Sequence, residues 1–118
     1  YTKQILVLIN QVSCSTGDIF PALMQDAGIL TFGTRTAGCG GTVVDVDSLG
    51  HSDFTYRMTE SLIVRPKPTK LPNGITTRYI ENVGVAPDIP YVITADDFRS
   101  DYAGYRNAIK KAILDLLD

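Results

Sequence analysis

Histidine is almost missing from this chain. His51 stands alone, and with only Cys14 and Cys39 beside it the nitrogen and sulfur ligands are too few for a zinc site. Two cysteines also exclude a disulfide scaffold. More often such cysteines are small buried fillers, although either could serve as a nucleophile. Neither sign of charge prevails: 11 basic and 13 acidic residues leave a net charge of -2. That excludes a general polyanion-binding protein and offers no field for membrane steering. Long apolar runs are missing too. The longest, residues 5–9, is far short of the ~20 needed to span a bilayer. There are no internal repeats, low-complexity tracts or domain linkers. Neither an initiator Met nor a signal peptide opens the sequence, which begins at Tyr1, so a compartment is not legible in it.

What remains is ordinary for one globular domain or part of one: 118 residues, 44% hydrophobic and 20% charged. Residues 3–10 (KQILVLIN) are a short apolar run, read as a central strand covered on both faces. A polar turn follows at 11–17 (QVSCSTG). Residues 18–27 carry apolar groups at 19, 20, 23, 24 and 27, which is helical spacing, and Gly28 stops the helix. Residues 29–32 are a second strand. Strand, helix and strand at this spacing make a βαβ unit with a parallel pair. A glycine-rich loop spans 33–41 (GTRTAGCGG), and 42–47 is a half-exposed strand. Residues 48–53 are a turn holding His51, read as a solvated loop residue. Residues 54–59 and 61–65 form one strand or two. Residues 66–74, with three prolines and Asn-Gly, are a surface loop. Residues 75–80 are a strand, and Pro87 and Pro90 bar a regular ladder in 82–90. Thr94 opens a capped short helix or turn, and 105–117 form an amphipathic helix. Arg65, Lys67, Lys70 and Arg78 lie in 61–80 without an acid; they are read as the cations of a solvated loop, since no aromatic interleaving supports a nucleic-acid patch. Gly33 to Gly38 opens like a phosphate loop, but Cys39 and Gly40 follow where Lys and Ser or Thr are required. No nucleotide, metal or other cofactor is implied.

The sharpest feature is the turn between the first strand and helix. A small hydroxyl residue there sits at the positive end of the helix dipole, where backbone N–H groups can hold an oxyanion. That is a recipe for an exposed serine nucleophile. A rival reading needs no chemistry: Ser15 and Asp18 match a capping box, in which Ser15 only satisfies the first helical N–H groups. Pro21 bears on the choice. If Ser15 caps, Pro21 lies inside the helix; if Asp18 caps, Pro21 falls in the first turn and Ser15 is free to point outward.

The run INQVSCSTGDIFPALMQD, residues 9–26, resembles the nucleophile segment of the tail-specific, or C-terminal-processing, serine proteases. GTRTAGCGGTV at 33–43 is similar to that family's glycine loop, and IENVGVAPDI at 80–89 to its G-x-x-P-D element. The resemblance covers residues 5 to about 90, and the terminal helix fits it. It implies an α/β fold with a crotonase/ClpP-like βαβ core, a β-rich middle and a C-terminal amphipathic helix. Residues 1–118 are then the C-terminal part of a serine protease catalytic domain. Ser15 corresponds to the nucleophile, with Ser13 the other serine in the turn. Cys39 stands where many members carry a lysine base, so a Ser-Lys dyad is not available. The chain is more similar to the branch of the tricorn core and the chlamydial protease-like activity factor, which uses Ser, His and Glu. There Glu81 corresponds to the residue that orients the histidine, and the Thr16 N–H to an oxyanion donor. That branch's histidine precedes the serine by a long stretch, so His51 is not its counterpart and an upstream segment of the parent supplies the base. The implied partners are that segment and a polypeptide substrate, added as a strand on a sheet edge. A homo-oligomer stays open, and the family points to a secreted or periplasmic parent. The isolated chain is expected to be inactive. The alternatives are a non-catalytic interaction or assembly module in which Ser15 is a helix cap, and a crotonase-type acyl-CoA enzyme, for which no acyl-CoA site is recognisable.

Overall fold

The computed structural model describes residues 2–47, 50, 53–71 and 73–117. The apolar run near the start forms β1 (Leu6–Ile9), and β2 (Leu30–Gly33) lies parallel to it, from Leu6 opposite Leu30 to Ile9 opposite Gly33. Helix α1 (Thr16–Asp26) connects them, so the βαβ reading holds. Gly28 ends the helix as expected. With φ +85° it lets its own N–H reach Gln25 O and the Ile29 N–H reach Met24 O, each at 2.9 Å, a Schellman closure.

A third strand, β7 (Ile89–Pro90), joins the far side of β2 through Phe32 opposite Ile89 and Gly33 opposite Pro90. The sheet order is β1-β2-β7. Two expectations are corrected here. Among the described residues β1 is an edge strand and not a central one, and Leu8 is half-exposed. Pro87 and Pro90 shorten the ladder in 82–90 to two residues without abolishing it, because Pro90 sits on an outer strand where a missing N–H needs no partner.

Between β2 and β7 the chain makes two antiparallel ribbons. The first pairs β3 (Gly41–Asp47) with β4 (Thr55–Leu62), and the second pairs β5 (Val64–Lys70) with β6 (Thr76–Tyr79). The expected proline loop therefore begins as a strand. Pro66 and Pro68 are accommodated because the β5–β6 register skips from Val64 to Thr69, so neither proline is asked for a ladder hydrogen bond. Arg65 is not the solvated cation expected: it is buried and donates from Nη2 to Asp26 Oδ1 at 2.8 Å, tying β5 to α1. His51 and most of its turn lie outside the described residues.

Ile9, Ala22, Ile80 and Val85 form the buried core, with Val7 and Ile63 packed against it. A second cluster stacks Phe32 on Tyr91 at 5.5 Å and sets Tyr105 against both. It joins the sheet to α2 (Ala95–Arg99) and α3 (Ala103–Asp115). The capped short helix at Thr94 is present: the Thr94 N–H and hydroxyl donate to Asp97, and the Asp97 N–H donates back to Thr94 Oγ. Those Thr94 bonds, with the Tyr91 hydroxyl, hold the Asp97 carboxyl below its ordinary pKa. Helix α3 turns Ala112 into the interior, while Ile113 and Leu117 remain exposed. The chain is elongated, 60 × 36 × 35 Å, with a radius of gyration of 17.7 Å. A compact domain of this length would have about 13–14 Å.

Candidate active site

The turn after β1 is built by one side chain. Asn10 Oδ1 accepts from the Val12 N–H at 3.0 Å and the Ser13 N–H at 3.1 Å, and the Ser13 hydroxyl also donates to it. Ser13 is thus engaged in the turn, which leaves Ser15 as the serine facing outward.

Ser15 has φ 57° and ψ -117°. This is a backbone conformation that costs an L-residue roughly 1–3 kcal/mol and persists only where its surroundings fix it. The residue is exposed and makes no side-chain capping bond. The capping-box alternative is therefore corrected. Ser15 stands at the helix start, but its contribution is its carbonyl, which accepts from Asp18 N–H at 2.8 Å and Ile19 N–H at 3.0 Å. Pro21 lies inside the helix and cannot donate to the Gly17 carbonyl, yet Ser15 is free. The Gly17 N–H is occupied by Cys14 O at 2.9 Å. The Thr16 N–H, at the first helical position, has no intrahelical acceptor.

Asp18 is fully buried. Its two carboxylate oxygens accept from the Gly38 and Cys39 N–H groups, each at 2.9 Å, so the glycine loop is docked onto the helix start. The Ala37 N–H donates to Ser13 O at 2.8 Å, and Cys14 and Cys39 form a disulfide across the same gap. The expectation of separate buried cysteines is wrong on both counts: the two are bonded and both residues are exposed. Spacing alone gave no signal for this pair, since the contact is made only when the loop folds back on the turn. Cys14, Asp18 and Cys39 offer ligand atoms within 4.8 Å of one another. Both sulfurs are used in the bridge and the carboxylate already holds two N–H groups, so this donor set fits a cross-link better than a cation.

The other side of the glycine loop holds Glu81. Gly38 O accepts from the Asn82 N–H at 2.7 Å, and Thr36 exchanges bonds with Val85, so the 80–85 segment lies along the loop. Glu81 Oε2 accepts from the Gly41 N–H at 2.8 Å, and Oε1 from the Thr59 hydroxyl at 3.2 Å. Gly41 is required by close approach: a Cβ there would stand 3.2 Å from Glu81 Oε2 and 2.9 Å from Ser61 O. The fold therefore anchors Ser15 and Glu81 on opposite sides of one loop. Asp18, Gly41 and Thr59 were missed as site residues. An acid three positions after a serine was a visible signal but was read as a cap partner, and nothing marked Thr59.

The P-D element has a structural part. Asp88 Oδ2 accepts from the Thr31 N–H and hydroxyl and from Gln25, locking β7 beside β2. At the carboxyl ends of the parallel strands a cavity of about 140 Å³ opens among Asn10, Val12, Gly33, Thr34 and Tyr91, beside the turn that leads to Ser15. A larger concavity of about 410 Å³ lies at the other end of α1, where Asp26 and Arg65 are occupied with each other.

Comparison with known proteins identifies relatives in sequence and in fold. A profile of peptidase family S41 matches residues 1–91. A protein of Chlamydia trachomatis (serovar D) is 37% identical over the whole chain, and an uncharacterized protein of Chlamydia muridarum is 42% identical over 94% of it. The chain spans about a fifth of the length of these curated relatives, 19% and 17%. Among solved structures, mature CPAF complexed with lactacystin superposes with a TM-score of 0.82 at 39% identity, over 98% of this chain and 21% of that one. The tricorn protease gives 0.66 at 25% identity, over 98% of this chain and 11% of that one.

Proposed function

The chain belongs to peptidase family S41, and on that premise we propose that it is the C-terminal part of the catalytic domain of a serine endopeptidase. Ser15 Oγ attacks the carbonyl carbon of a peptide bond, and a histidine from another segment of the complete protein takes its proton. The C–N bond then breaks, the histidine returns that proton to the leaving amine, and water hydrolyses the acyl-Ser15 ester. Glu81 holds the histidine in its working orientation, and the Thr16 N–H, with the helix dipole, stabilises the tetrahedral oxyanion. Losing one such donor typically lowers the rate by roughly 10²–10³.

The observation that carries this reading is the Ser15 backbone: φ 57° and ψ -117°, with an exposed hydroxyl that caps nothing. Such strain at a strand-to-helix turn has a use in presenting a nucleophile and none in capping. Polypeptides are the substrate class, and association between copies of the complete protein accompanies the reading as a further expectation. No helix among the described residues is long and apolar enough to cross a membrane. A non-catalytic assembly module remains the rival, although it has lost its capping premise.

The test is the intact mass of the complete protein after treatment with a fluorophosphonate. A single adduct on Ser15, absent from Ser15→Ala, supports the proposal. A folded protein that gains no adduct overturns it. The chain of residues 1–118 alone is expected to be inactive, because a serine without a base is a poor nucleophile at neutral pH. Peptide hydrolysis by that chain, lost in Ser15→Ala, would contradict this expectation.

A further inference from the structure

The two sulfurs beside Ser15 have no part in the reaction proposed above. Cys14 is the residue immediately before Ser15, and Cys39 lies in the loop that leads to Gly41 and the Glu81 carboxylate. They are 25 residues apart in sequence, with Cα atoms 5.2 Å apart. Both residues are exposed in this chain. Two hydrogen-bonded ties cross the same gap: Ala37 N–H to Ser13 O, and Gly38 and Cys39 N–H to Asp18. These ties fix residues 13 and 18. The disulfide is the tie nearest Ser15 itself, and it holds the residue whose carbonyl leads directly into the strained φ of the serine.

We propose that the Cys14–Cys39 disulfide is a positioning cross-link for Ser15, and that the site is competent in the oxidised form and impaired in the reduced one. The inference rests on Ser15 being the nucleophile. The chemistry needs a dithiol reductant. One of its thiolates attacks a bridge sulfur, the S–S bond breaks, and the displaced cysteine thiolate takes a proton. The reductant's second thiolate then resolves the mixed disulfide, releasing the other cysteine as a thiol and leaving the reductant as a cyclic disulfide. Two electrons pass from the reductant to the bridge. The Asp18 and Ala37 ties survive, so α1 and the loop remain docked. Cys14 then keeps only the bond its carbonyl accepts from the Gly17 N–H, and Ser15 relaxes from its strained conformation. Small misplacements of a reacting group can lower rates by as much as about 10²-fold.

The experiment follows the rate of fluorophosphonate labelling of Ser15 in the complete protein. It is run oxidised, in excess dithiothreitol, and after reoxidation with oxidised glutathione. Non-reducing peptide mapping reports the bridge, and far-UV circular dichroism reports the fold. The expected result is a fall of about tenfold or more on reduction with the fold unchanged, reversed on reoxidation. Cys14→Ala/Cys39→Ala is expected to label at the reduced rate and to ignore dithiothreitol, which separates this bridge from any other cysteines. Should that variant fail to fold, the reduction and reoxidation of the unaltered protein decide the matter. Equal rates in the two states overturn the inference, as does faster labelling on reduction, which would make the bridge a shield. Free thiols at Cys14 and Cys39 in the air-oxidised protein, or loss of the fold on reduction, overturn it as well. No labelling in either state overturns the assignment of Ser15 as nucleophile and this inference with it, whereas the other outcomes leave that assignment standing.

Discussion

The βαβ segment and the paired ribbons differ in what holds them. In the first, polar groups distant in sequence meet in buried or half-buried places: Asp18 with Gly38 and Cys39, Asp88 with Thr31, Thr36 with Val85. In the second, strands pair with their neighbours in sequence, and β4 is exposed along its whole length. The βαβ segment fixes Ser15 to better than its own backbone preference would allow. The ribbons contribute to the site at one point, where Gly41 and Thr59 reach Glu81. A strained backbone such as that of Ser15 needs the first kind of support, because local pairing cannot oppose a local strain.

The sharpest way to test that contrast is to remove the strained side chain. Ser15→Ala should lower hydrolysis by the complete protein on the order of 10⁶-fold, as loss of a serine nucleophile does elsewhere. Its melting temperature should barely change, since no cap bond is lost. A cap would have contributed ~1 kcal/mol, visible as a clear fall in melting temperature. The next effect is on the support itself. Asp18→Ala leaves the Gly38 and Cys39 amides without their acceptor, at about 1–3 kcal/mol each. Hydrogen exchange at those two amides should speed up by roughly tenfold or more. The ribbon amides at 43–47 should be unaffected, and acceleration there would mean that the two regions are coupled.

Legibility followed the same division. The βαβ unit, its Gly28 stop and the serine turn could be read from residues 5–32, because they rest on spacing and local turn chemistry. The glycine loop and the 80–89 element were visible as motifs, but not what they hold. The two cysteines were counted and never paired, because a bridge between residues 14 and 39 depends on where the loop lands. Arg65 was set aside as a solvated cation, since its partner Asp26 lies 39 residues away. Pro66 and Pro68 argued for a loop until an irregular register gave them places without ladder bonds.

Thr59 is where the ribbons can be made to matter. Thr59→Val removes one hydroxyl hydrogen bond to the Glu81 carboxylate, about 1.5 kcal/mol, or roughly a tenfold fall in turnover by the complete protein. Thr59→Ser should restore most of it. An equal loss in both variants would point to packing of the ribbon and not to orientation of the carboxylate.

The smallest expected effect is confined to acid and to the far side of the sheet. Asp97 accepts from Thr94 and Tyr91, and its folded pKa is depressed. A depressed carboxylate stabilises the folded state at pH values above its unfolded pKa of about 3.9. That contribution is lost as pH falls through the lower folded value. The tyrosine near-ultraviolet signal of Tyr91 and Tyr105 should therefore hold from pH 7 to about 4 and decline only below it. Asp97→Asn should weaken the same signal at neutral pH and flatten its acid step. A wild-type decline already complete by pH 5 would show that another group controls this corner.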